Sequence, residues 1–355
     1  MKQPEILFDN IKRHYQKQLP FVVYRKPNTN MVESLLQQDT SLGEVNNFSN
    51  RGFVFANFSG EKKILLPAEN SISLSAEIVF DNPPKPKDNT DVIGNGKDEE
   101  KHIKLVEKGI STIKKGHLDK VVLSRKQLVA IPNLDPFSIF IDILSTYRNA
   151  LCYLWYHPEI GTWMGASPEV FMDYKNNTLT TMSLAGTKPI IENQEVVWGE
   201  KEKKEQQFVT DYIISQLKTV GLSGDQLHTS ELQTVMAGEI AHLKTTISAH
   251  LEDSVSLESI SEALHPTPAV AGLPKQESID FIKNNEGYDR EFYTGFLGEV
   301  DDAEMKLFVN LRCMQLFDDK VAIYVGGGIT SESVAKNEWE ETVYKSKTML
   351  NILTN

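Results

Sequence analysis

Apolar runs that come in pairs across tight turns constrain this chain most. Runs at 151–156 and 162–166 flank a turn at Pro158 and Gly161, and runs at 170–174 and 178–184 flank Asn176-Asn177. Runs joined so closely pair antiparallel, because a parallel neighbour needs a crossover of a dozen or more residues. Helical stretches are interleaved with these pairs. Ile103, Val106, Ile110 and Ile113 recur at helical spacing before the stop at Gly116. Residues 136–148, 200–219 and 230–241 also read as helices. The last third continues with strands near 295–300, 306–317 and 321–326 and a helix over 333–353. Antiparallel pairs mixed with helices predict an α+β fold built on large sheets.

The first eighty residues read as a helix over 6–18 followed by extended runs at 21–24 and 52–56. A proline- and charge-rich connector follows at 81–89. The expected organisation is one domain over 1–355, with N-terminal strands and connector in 1–95 and a catalytic core in 96–355. Apolar residues make up 40% and charged residues 24% of the 355, enough for a sizeable core. A net charge of -12 argues against nucleic acid or anionic lipid as partner. No run of 18 apolar residues suggests a membrane span, and the opening Met1-Lys2-Gln3-Pro4-Glu5 carries no apolar signal region, so a cytoplasmic location is expected. Cys152 and Cys313 stand alone and read as buried thiols, with no zinc site.

Several fragments could carry chemistry, each with a plainer reading beside it. On the 200–219 helix, Glu205 projects within about 40° of Val209 and Tyr212, toward the apolar side, with Glu202 one turn earlier. A solvated charge run accounts for the same pattern. On the final helix, Glu338, Glu341 and Lys345 form a stripe; it is either a surface ion pair or half of a cation site shared with Glu205. Val325-Gly326-Gly327-Gly328, read as a loop after a strand, either presents backbone N–H groups to an anion or is a tight turn. Glu169, in Gly165-Ala166-Ser167-Pro168-Glu169, suits a general acid if burial raises its pKa; a turn carboxylate is the alternative. Lys120 opens a strand and is either a buried base or a surface lysine.

Taken in order, the fragments form a series. It comprises Lys120-Val121-Val122-Leu123-Ser124-Arg125, Gly165–Glu169, Leu184-Ala185-Gly186-Thr187, Glu202 with Glu205, His242-Leu243, and Leu264-His265-Pro266-Thr267-Pro268-Ala269-Val270. Phe292-Tyr293-Thr294-Gly295, Arg312, Gly326–Gly328 and Glu338-Trp339-Glu340-Glu341-Thr342 complete it. The series resembles the chorismate-binding enzymes, and within them the isochorismate synthases, over roughly residues 100–355. The resemblance implies a large α/β sandwich of mainly antiparallel sheets flanked by helices, with the site between the sheets.

The same resemblance implies a chemistry in which a nucleophile adds at C2 of chorismate and the C4 hydroxyl leaves. Where ammonia users carry glutamine, this chain has Lys120; where aminodeoxychorismate synthase carries Lys-Gly-Thr, it has Ala185-Gly186-Thr187. Water is the implied nucleophile, isochorismate the implied product, and no glutaminase subunit is expected; a monomer or weak dimer is. Lys120 is the implied base and Glu169 the acid. Glu205 and Glu341 would hold Mg²⁺, with Glu202 and Glu338 supporting its waters. Arg312, Tyr293 and Gly326, Gly327 and Gly328 would hold the enolpyruvyl carboxylate, with Lys345 adding positive charge. Ala185, Gly186, Thr187, His242 and Ala269 would line the substrate, His242 near the leaving hydroxyl. Ser124 and Arg125 are expected to be structural or to support the residues that touch substrate. One departure is Gln206, where the family commonly has histidine. Salicylate synthase, which eliminates pyruvate in the same site, is the alternative; a dead binding module is disfavoured because every acid, base and ligand position is kept.

Overall fold

The computed structural model describes residues 3–45, 48–80, 96–190, 195–222, 224–237, 240–252, 255–301 and 303–353. The connector at 81–89 lies outside them. Strands of the described residues form two antiparallel sheets. One runs, edge to edge, Gly272–Leu273, Lys120–Ala130, Lys320–Ile329, Cys313–Leu316, Gly161–Ser167, Leu151–His157, Phe21–Arg25, Met31–Gln37 and Ser71–Glu77. The other runs Leu227–Thr229, Ile240–His250, Thr178–Pro189, Val170–Lys175, Glu304–Val309, Phe296–Val300, Gly52–Ala56, Lys63–Pro67 and Gly43–Glu44, with Gln233–Ala237 also paired to Ile240–His250. N-terminal strands therefore enter both sheets: Phe21–Arg25 pairs with Leu151–His157, and Gly52–Ala56 with Phe296–Val300.

An aromatic-rich core lies between the sheets. Tyr24, Tyr153, Trp155, Trp163 and Tyr324 come from the first sheet, and Phe53, Phe55, Leu297 and Phe308 from the second. Helices bury the outer faces. Leu7 and Ile11, Phe140 and Ile143, and Met349 and Leu350 cover the first sheet. Val209, Ile213 and Leu217 of the Glu200–Thr219 helix, with Ile260 and Leu264, cover the second. The result is a helix–sheet–sheet–helix sandwich, in which each sheet loses both faces to apolar contact.

Three expectations are corrected. The helix over 230–241 is absent: this stretch holds the strand Gln233–Ala237 and the start of Ile240–His250. The latter buries Leu243, Thr245, Ile247 and Ala249 while the residues between them are more open, a period of two. The single strand over 306–317 is two strands, Glu304–Val309 in one sheet and Cys313–Leu316 in the other. The chain crosses between sheets at Asn310-Leu311-Arg312, where Arg312 takes a left-handed φ of 49°. The three glycines are not in a loop. They lie inside the strand Lys320–Ile329, in register with Ser124, Leu123 and Val122.

Candidate active site

A second crossover lies beside the first. Ser167 ends a strand of one sheet and Val170 begins a strand of the other, leaving Pro168 and Glu169 between them. The two crossovers are bonded together. Ala166 N–H donates to the Arg312 carbonyl at 3.0 Å, and Val309 N–H to the Glu169 carbonyl at 2.9 Å. Gly165 permits this approach, since a Cβ there would lie 2.7 Å from the Arg312 oxygen. Switching sheets thus delivers one buried carboxyl, Glu169, and one half-buried guanidinium, Arg312, to the space between the sheets.

That space is a cavity of about 130 Å³. Lys120, Gly326 and Gly328 of one sheet line it, with Ala185, Gly186 and His242 of the other. Glu169, Arg312, Tyr293 and Ala269 come from connecting segments, and Glu202, Glu205, Glu338, Glu341 and Lys345 from two helices. Gly327 is not among the lining residues, and the Thr187 side chain lies outside the described residues. Val122, Pro168, Leu184, Val270, Thr294 and Leu311 also line the cavity and were not singled out as site residues. All six stand in or beside the quoted motifs, Leu311 next to Arg312 inside the unbroken strand assigned to 306–317.

Charges are paired within the cavity wall. Lys120 Nζ lies 3.0 Å from Glu205 Oε1. Lys345 Nζ lies 2.6 Å from Glu341 Oε1 and donates to the Gly326 carbonyl at 3.0 Å. The glycines make room for these groups. A Cβ on Gly328 would stand 2.8 Å from Glu205 Oε1 and 3.0 Å from Lys120 Cε, and one on Gly327 would meet Glu341 and Glu338 oxygens at 3.4 and 3.6 Å. Glu202 accepts from Gly199 N–H at 2.8 Å at the start of its helix, with Lys188 3.6 Å away. Gln206, beside Glu205, points into the second sheet and donates to Ser183, Thr210 and Thr245 at 2.8, 3.0 and 2.9 Å. Thr210 lies on the same helix; the bonds to Ser183 and Thr245 cross to the sheet and fix the helix rotation that aims Glu205 at the cavity.

Burial tunes the neutral groups. Glu169 is 5% exposed, and desolvation pushes its carboxyl up to about 7 against the pull of Arg312, Lys345 and Lys120. His242 is held down near 3, by desolvation first and then by Arg312 and Lys345, so its imidazole is neutral. Its Nδ1 lies 3.0 Å from the Gly186 carbonyl. A carbonyl only accepts, so Nδ1 carries the proton and Nε2 is the acceptor. Gly186 reaches this position as the extra residue of a bulge between Ala185 and Thr187, with φ of 72°. Arg125, as expected, is structural: its Nε donates to Thr342 Oγ1 at 2.8 Å and its guanidinium lies over the Trp339 ring, 4.5 Å from the centroid, holding the final helix.

Two sheets with an acid, a lysine and paired carboxylates between them define a class. The chain belongs to the chorismate binding enzyme family, which matches residues 57–354. It is 29% identical over 271 residues to isochorismate synthase DhbC of Bacillus subtilis, covering 69% of this chain and 65% of that protein. It is 27% identical over 258 residues to the salicylate biosynthesis isochorismate synthase of Pseudomonas aeruginosa, covering 70% of this chain and 54% of that protein. The chain thus spans between about half and two thirds of the length of these relatives. In fold it matches MenF, the menaquinone-specific isochorismate synthase of Escherichia coli, with a TM-score of 0.78 at 19% identity, over 96% of this chain and 90% of that one.

Proposed function

We propose that this chain is an isochorismate synthase, which adds water at C2 of chorismate and expels the C4 hydroxyl. The observation that carries the reading is one buried cavity holding a lysine amine and a carboxyl that stays protonated up to about pH 7. A base and an acid of those types are what hydroxyl exchange on a ring requires. Glu169 starts protonated and gives its proton to the departing hydroxyl. Lys120, once its ammonium has released Glu205 and given a proton to solvent, takes a proton from the attacking water. The reverse reaction exchanges the two roles. His242, neutral and with Nε2 as acceptor, receives a hydrogen bond from a ring hydroxyl rather than supplying a proton. Arg312 and Tyr293 hold the enolpyruvyl carboxylate, the guanidinium by its planar fork. With Lys345 they set a local positive field inside a protein of net charge -12.

The carboxylates fit Mg²⁺. Among the described residues no three His, Cys, Asp or Glu side chains form a ready-made metal cage. Mg²⁺ needs only one or two carboxylates and keeps water and substrate for the rest of its shell. Glu205 and Glu341 stand on separate helices, face one glycine strand, and each is already neutralised by a cation. They would hold the ion, with Glu202 and Glu338 supporting its waters. When bound, it would neutralise and orient the ring carboxylate. Menaquinone or a catechol siderophore is the destination assigned to the product. The test is incubation with chorismate and Mg²⁺ without ammonia. An isomer of unchanged mass, lost on adding a chelator, supports the reading; no product, or salicylate with pyruvate, overturns it.

A further inference from the structure

The strand that opens with Lys120 forms the wall of the cavity, yet its outer edge is nearly bare. The neighbouring strand Gly272–Leu273 pairs with Lys120 and Val121, and the Ala271 carbonyl just before it accepts from Val122 N–H at 2.8 Å. Beyond that point an ion pair completes the edge. Arg290 donates to the Val122 carbonyl at 2.7 Å, and Glu286 accepts from Ser124 N–H at 2.7 Å and Ser124 Oγ at 2.9 Å. The two side chains are 1% and 0% exposed and bonded to each other, Arg290 Nε to Glu286 Oε2 at 2.8 Å. Arg290 also donates to the Val270 carbonyl at 2.9 Å and to Thr294 Oγ1 at 3.3 Å, and its guanidinium lies over the Phe58 and Tyr293 rings. Val122, Val270, Tyr293 and Thr294 all line the cavity, whereas Glu286 and Arg290 do not.

We infer that Glu286 and Arg290 are positioning residues, which act as a side-chain substitute for the missing strand and hold Lys120's strand in register with the Val270 and Tyr293–Thr294 wall. The guanidinium suits the task because its rigid fork spans donors to several carbonyls at once, which an ammonium on a flexible stem does not. The inference rests on the isochorismate synthase reading for its kinetic consequence, and on geometry alone for its structural one.

The test compares wild type with Arg290→Lys and with the neutral double variant Glu286→Gln, Arg290→Met, since removing one partner of a buried pair leaves a stranded charge whereas removing both does not. Two readouts are taken on folded protein well below the melting transition. The first is kcat/KM for chorismate per folded molecule, expected to fall at least tenfold in both variants, while Mg²⁺ affinity and the alkaline limb of the pH profile, set by Glu169 on another segment, stay put. The second is amide hydrogen exchange without substrate, expected to quicken at Ser124 and along 121–123 and 270–271. Wild-type kcat/KM in a folded variant overturns the catalytic half. Unchanged exchange in Arg290→Lys overturns the structural half, and this arm decides even if the double variant does not fold. Failure of the functional reading shows separately, as absence of turnover in wild type.

Discussion

Glu169 shows how a single side chain serves chemistry against stability. Its carboxyl is raised from 4.5 to about 7, so the folded protein holds a proton that the unfolded chain releases. That contribution to stability is full below about pH 4.5 and is lost as pH rises through 7. The shift corresponds to roughly 3 kcal/mol above neutrality. Glu169→Gln should therefore melt higher than wild type at pH 8, with the gap closing near pH 5, while its turnover falls by about 10²–10⁴-fold; thermal scans at the two pH values and one rate assay check this. In wild type, kcat/KM should decline on the alkaline side with an apparent pKa near 7. Lys120→Gln should lose turnover by a similar factor and keep chorismate binding within about threefold by calorimetry; unchanged turnover would remove Lys120 from the mechanism. Most of the residues singled out in sequence line one cavity, and it was their series, not any one fragment, that made them legible. The Glu286–Arg290 pair was not, because its partners are the backbone groups of Val122, Ser124 and Val270, far away in the chain.

Among the elements, hairpins were the easiest to read: Asn176 and Asn177 take φ of 50° and 57°, as a tight turn between twisted strands demands. Sheet crossovers were the hardest. In Val309-Asn310-Leu311-Arg312-Cys313 the polar residues alternate with apolar ones as in a strand, so the crossover between two buried strands leaves no mark. Polar residues over 230–241 mimicked a helix because the paired edge strand Gln233–Ala237 is largely exposed and carries no alternating core face. The glycine run was found but placed in a loop; its purpose is absence of side chains within a strand. Gly328→Ala tests that purpose. The added methyl would meet Glu205 and Lys120 at 2.8 and 3.0 Å. Turnover should drop more than tenfold and the Mg²⁺ requirement should rise, measured by titrating rate against metal, while the fold survives because the position stays extended.

At the scale of the whole molecule, the two sheets meet face to face over an aromatic core, and at one end the chain passes twice between them. Those passages place Glu169 and Arg312, the proposed acid and carboxylate-binding group, while helices outside the sheets deliver carboxylates over a run of three glycines. The proposed mechanism gives water attack and hydroxyl departure to separate residues, Lys120 and Glu169. It follows that the oxygen gained at C2 comes from solvent and the oxygen lost from C4 goes to solvent. The most direct measurement is the reaction of chorismate with Mg²⁺ in ¹⁸O-labelled water, followed by mass detection of the isomeric product. The account predicts one solvent oxygen in the product at C2, with incorporation abolished in Lys120→Gln. An unlabelled isomer, formed by migration of the original hydroxyl, would contradict it.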